Sequence, residues 1–125
     1  MLKSEDPEKR VKPIEILAHL FYKTCRIDLE TNAVLDFLPK SIETAIEHEK
    51  AGFDDPKKPL FGLPISVKDT YCMEGYPMTY GYIAHMKDRI AKRDCLQVQV
   101  LKEMGAIPFV RSNIPETCAT YLFKN

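Results

Sequence analysis

The 125 residues are 45% hydrophobic and 29% charged, which is enough apolar material for one core in a chain of ordinary domain size. Lysine plus arginine and aspartate plus glutamate each number 18, so there is no net field to draw nucleic acid or an anionic membrane. No apolar run approaches the roughly 20 residues needed to cross a bilayer, and a cytoplasmic setting is expected.

The opening MLKSEDPEKRVK is polar and charged, which predicts a flexible N-terminal segment over residues 1–12 and a folded portion over 13–125. From Pro13, the residues Ile14, Leu17, Ala18, Phe21 and Cys25 recur at helical spacing, and proline suits a first helical turn. NAVLDFL follows as a short extended candidate. Ile42, Ala45 and Ile46 then mark a second helix that stops at Gly52. The loop FDDPKKP leads into PLFGLPISVKDT, whose β-branched LPISVKD reads as a strand.

A long connection, Thr70 to Arg93, comes next; its tyrosines, Gly75, Pro77 and Gly81 predict an irregular but packed segment. Leu96, Val100, Leu101 and Met104 form a third helical stripe closed by Gly105, and AIPFV reads as a buried strand. Strand, crossover, helix, strand is βαβ order, so Ile65 to Asp69 and Ala106 to Val110 are expected as parallel neighbours in an α/β fold. The ending YLFKN offers apolar side chains with no later element to bury them, and a sheet of two or three strands leaves faces uncovered. The expected fold is therefore incomplete.

Self-contained sites are not legible. The sequence holds no Gly-x-Gly-x-x-Gly, phosphate loop, His-Glu-x-x-His or Gly-x-Ser-x-Gly. Cys25, Cys72, Cys95 and Cys118 lack zinc-ligand spacing; no cofactor and no metal are expected, and the thiols are read as free. His19, His48 and His85 are far apart in sequence and read as solvated or structural. Ser41 reads as a cap or first-turn residue.

Lys68 closes an apolar strand, and alternation puts Ser66 and Lys68 on the face opposite Ile65 and Val67. If that face meets water, Lys68 is an ordinary surface lysine. If it is covered, desolvation lowers the amine's pKa and makes it a base. The carboxyl end of a parallel strand favours the second reading, since ligands of open α/β sheets bind there. A Ser66-Lys68 dyad is disfavoured, because side chains two apart on a strand stand parallel and leave a nucleophile little room.

PLFGLPISVKDTYCMEGYPMTYG, followed by DCLQVQVLKEMGAIPFVRSNIPE, resembles the amidase signature family, and PIEILAHLFYKTCRID with TNAVLDFL resembles its N-terminal lead-in. Within the family the likeness is greatest to animal fatty acid amide hydrolases, and it covers residues 11 to 125. The resemblance implies a partial amidase-signature fold, with helices packed on an incomplete, mostly parallel or mixed sheet. It also implies a serine hydrolase with a Ser, cis-Ser, Lys triad that cleaves amides, fatty acid amides being the substrate class. Lys68 matches the family lysine, SNIP from Ser112 to Pro115 matches the Thr-Asn-x-Pro turn, and Ser66 takes a packing position.

The family's Gly- and Ser-rich segment, with both serines and the oxyanion donors, is not among these residues. The 125-residue polypeptide is therefore expected to retain only the lysine of the triad and to be inactive alone. The alternative is a non-catalytic fragment or pseudoenzyme that acts by protein–protein association, including self-association through the uncovered sheet. Full-length relatives extend the localisation reading to membrane association.

Overall fold

A computed structural model describes residues 9–52 and 57–119. The element order is α1 (Pro13–Thr31), β1 (Val34–Phe37), α2 (Lys40–Ala51), β2 (Pro64–Lys68), a short 3-10 turn (Ile83–Met86), α3 (Leu96–Glu103) and β3 (Ile107–Ser112). Every expected element is present. YLFKN, residues 1–8 of the opening segment and the first four residues of FDDPKKP lie outside the described residues.

Helix α1 begins at Pro13, whose missing N–H costs nothing in a first turn. Lys12 has no side-chain oxygen with which to cap the helix, so Glu15 reaches back and accepts the Lys12 amide at 3.1 Å. The helix ends at Asn32 in the left-handed region (φ 47°), and the Asp28 carboxylate accepts the Val34 amide at 2.8 Å. That turn aims the chain directly into β1. Lys12 also pairs with Glu49 of α2 at 2.7 Å; the hydrogen bond to Glu49 holds the amine above its ordinary range.

The sheet order is β1-β3-β2. β2 runs parallel to β3, as βαβ order predicts, while β1 runs antiparallel to it. The sheet is thus mixed and open. Both pairings shift register: Leu35 is the extra residue on β1, and Phe109 is the extra residue on β3 where it pairs with β2; the Phe109 carbonyl accepts the Leu38 amide at 2.9 Å.

Two cores hold these elements together. Leu17 of α1, Ala45 of α2 and Ile107, Phe109 and Val110 of β3 form one; Leu38, Val67, Met73 and Val98 form the other, with Ile65, Tyr76 and Cys95 against it. Phe21 stands edge-on to Phe109 at 5.5 Å, a favoured aromatic geometry.

Two helical faces differ from expectation. On α3, Leu96 is 70% exposed and Val100 41%, whereas Val98 is 1% exposed; the helix turns Cys95, Val98 and Leu101 inward at i, i+3, i+6. On α2, Ala45 is buried with Ser41, while Ile42 and Ile46 are exposed. In both helices the helical period is right and the buried arc is rotated, because no described element covers the residues left outside.

Gly105 follows α3 at φ 89°, and a Cβ there would lie 2.8 Å from Phe61 Cα. The close approach is fixed by Leu60 donating to the Met104 carbonyl at 2.9 Å and Gly62 to the Gly105 carbonyl at 3.0 Å. Only glycine meets both demands.

Candidate active site at the carboxyl ends of the strands

Lys68 ends β2 and Ser112 ends β3, and the parallel register sets the two opposite each other. Val67 points into the core at 4% exposure, and Ser66 and Lys68 are both exposed. Strand alternation therefore placed the faces correctly. Among the described residues the Lys68 face, Ser66 included, meets solvent. Ser41 is a first-turn residue as read, its buried hydroxyl donating to the Leu38 carbonyl at 2.6 Å.

Next to Lys68 in sequence begins an ionic centre that no motif marks. Asp69 is 0% exposed and Arg111 1%. Arg111 Nη2 donates to Asp69 Oδ1 and to the Pro77 carbonyl, Nη1 donates to Asp36 Oδ2 at 2.7 Å, and the guanidinium carbon stands 5.6 Å from the Tyr76 ring centroid. The Thr79 hydroxyl donates to Asp69 Oδ2 at 2.5 Å and accepts the Gly81 amide at 3.1 Å. Arg111 with two carboxylates satisfies the rule that buried charges are paired. It ties β1 and β3 to Asp69, the residue that follows β2, and to the connection beyond it. The sequence shows only Asp36 within VLDF and Arg111 at the end of AIPFVR, charges of opposite sign that nothing local pairs.

That connection forms an irregular antiparallel ribbon. Met78 donates to the Arg89 carbonyl at 3.0 Å, Ala91 to Tyr76 at 2.9 Å, and Cys95 to Cys72 at 2.9 Å. His85 Nδ1 lies 3.1 Å from the Thr79 carbonyl. The Asn113 amide donates to the Ala33 carbonyl at 2.7 Å and its Nδ2 to Asn32 at 3.2 Å, which fastens the SNIP turn to the end of α1.

His48 is half-buried and stacks on Phe61 at 4.2 Å. Burial, with the Lys58 charge nearby, holds its imidazole below the ordinary range. It borders a cleft of about 490 Å³ together with Leu38, Ser41, Met73, Tyr76 and Lys102. Lys68 does not line that cleft. Among the described residues there is no metal-ligating cluster and no helix long and apolar enough to cross a membrane.

The family model described as Amidase matches residues 15–125. The chain is 32% identical over 91% of its length to the vitamin D3 hydroxylase-associated protein of Gallus gallus, and 31% identical over 99% to fatty acid amide hydrolase 1 of Caenorhabditis elegans. It spans only 24% and 22% of those relatives. Among solved structures, an amidase family protein from Bacillus anthracis aligns with TM-score 0.77 and 26% identity, over 87% of this chain and 22% of that one.

Proposed function

The chain belongs to the amidase family, and on that premise we propose that Lys68 is the lysine of a Ser, cis-Ser, Lys triad in a protein that cleaves carboxylic acid amides, fatty acid amides being the substrate class. The observation that carries this reading is the position of Lys68: it ends β2 beside β3, on a base braced by Asp69 and Arg111. In that role Lys68 receives the nucleophile's proton through the bridging serine and returns it to the leaving amine.

On this reading none of the serines among the described residues is the nucleophile. The Ser41 hydroxyl is buried and engaged with Leu38, Ser66 projects beside Lys68 along the same strand, and Ser112 faces it across the register. Without a nucleophile and oxyanion donors most transition-state stabilisation is missing, so the 125-residue polypeptide is expected to be inactive alone. A fluorophosphonate probe checks this: no labelling is expected, and robust labelling overturns it. Lys68 is tested separately. A chimera carrying residues 15–125 in place of the matching segment of a fatty acid amide hydrolase should lose about 10²–10⁴-fold in amide hydrolysis on Lys68→Ala; full activity in that variant overturns the role.

A second reading, association with another protein or with a second copy, is favoured by exposed Leu96, Val100, Ile42 and Ile46 and by β2 standing at the edge of the sheet. Light scattering tests self-association, and a clean monomer at high concentration argues against it.

A further inference from the structure

We propose that Cys72 and Cys95 form a thiol–disulfide site that staples the neck of the Thr70 to Arg93 connection when a small-molecule disulfide is present. The ribbon carries the argument. Its bridge pairs Pro77 with Ile90 antiparallel, and stepping five residues outward along both arms reaches Cys72 and Cys95. The register is kept at that point although turns interrupt the ladder, because the Cys95 amide donates to the Cys72 carbonyl at 2.9 Å.

Opposed, hydrogen-bonded residues of an antiparallel pair stand about 5.5 Å apart at Cα, and disulfides span about 4.4–6.8 Å between Cα atoms. The Cys72 thiol rests 3.0 Å from Met78 Sδ, and closing the staple exchanges that neighbour for Cys95. Both thiols are half-buried, whereas Cys25 and Cys118 are exposed. The neck is braced independently by the Glu74 amide, which donates to Asp94 Oδ1 at 2.8 Å.

The chemistry is ordinary exchange. One cysteine thiolate attacks the reagent's S–S bond, forms a mixed disulfide and expels one thiolate. The second cysteine thiolate attacks the protein sulfur of that mixed disulfide and expels the other. Two protein thiols are oxidised, the reagent takes both electrons, and the two protons leave on the released thiols. The staple closes a loop that starts four residues after Lys68, so the oxidised chain holds that end of the sheet more rigidly.

The experiment uses the full 125-residue chain with Cys25→Ser and Cys118→Ser, two exposed positions whose change leaves the fold intact. Incubation with oxidised glutathione, then alkylation and digestion, should give a Cys72–Cys95 linked peptide lighter by two hydrogen atoms, with free thiols falling from two to none in a monomer. The melting temperature should rise by several degrees and return on reduction, because cross-linking restricts the unfolded chain. Two persisting thiols, stable glutathione adducts on both cysteines, or linkage only between chains would each overturn the proposal.

Discussion

Arg111 and Asp36 are 75 residues apart in sequence and 2.7 Å apart in space, Nη1 to Oδ2. With Asp69 on its other terminal nitrogen, Arg111 joins β1, β3 and the residue after β2 in one charge network. Arg111→Met strands the Asp69 carboxylate in the interior, and breaking a buried pair from one side costs about 3–5 kcal/mol. Asp36 is 31% exposed, so Asp36→Asn keeps a hydrogen-bonding oxygen, lets water compensate, and should cost nearer 1 kcal/mol. Urea unfolding of the two variants checks the order.

The rotated arc of α3 is tested by a pair of truncations. Val98 is 1% exposed and Leu96 70%. Val98→Ala should cost about 1–3 kcal/mol through lost contacts and a cavity, while Leu96→Ala should stay within about 0.5 kcal/mol. Equal losses would restore the face expected from the sequence.

Gly105→Ala meets two penalties, a φ of 89° and a Cβ 2.8 Å from Phe61 Cα. Backbone strain of that kind costs about 1–3 kcal/mol, and the contact is with backbone that cannot swing aside. The readout is again the urea midpoint, with Gly52→Ala as reference, since a Cβ there meets nothing within 4 Å.

His48 gives the pH dependence. Its folded pKa lies below the ordinary 6.5, through burial first and the Lys58 charge second. The unfolded chain therefore binds the proton more readily, and the His48 contribution is complete above pH 6.5 and declines as pH falls from there toward the depressed folded value. Melting temperatures at descending pH should fall less steeply for His48→Leu than for the parent chain. Parallel curves would remove His48 as the cause.

The sequence made the elements legible because their signals are local: Pro13 at a first turn, Gly52 and Gly105 beyond helix ends, β-branched residues in PISVK. It did not make the buried arcs legible, since Ile42 and Leu96 are as apolar as the residues that are buried and only a covering neighbour distinguishes them. The strand end at Lys68 and the face it occupies could be read from alternation. Arg111 could not, because a charge at the end of AIPFVR reads as a strand leaving the core until Asp36 and Asp69 are seen converging on it. The antiparallel pairing of β1 was equally hidden, as nothing local in VLDF names a partner so far along the chain.

The sheet order also fixes a sequence of events during synthesis. β1 and β2 bond only to β3 among the described strands, so neither has a partner until Ile107–Ser112 has left the ribosome. Such non-local pairing carries a loop-closure cost that slows folding. A nascent chain stalled before Ile107 therefore holds two unpaired strands, whereas one in which Ser112 has emerged can form both pairings together. Protease protection of chains arrested on either side of β3 should show that step.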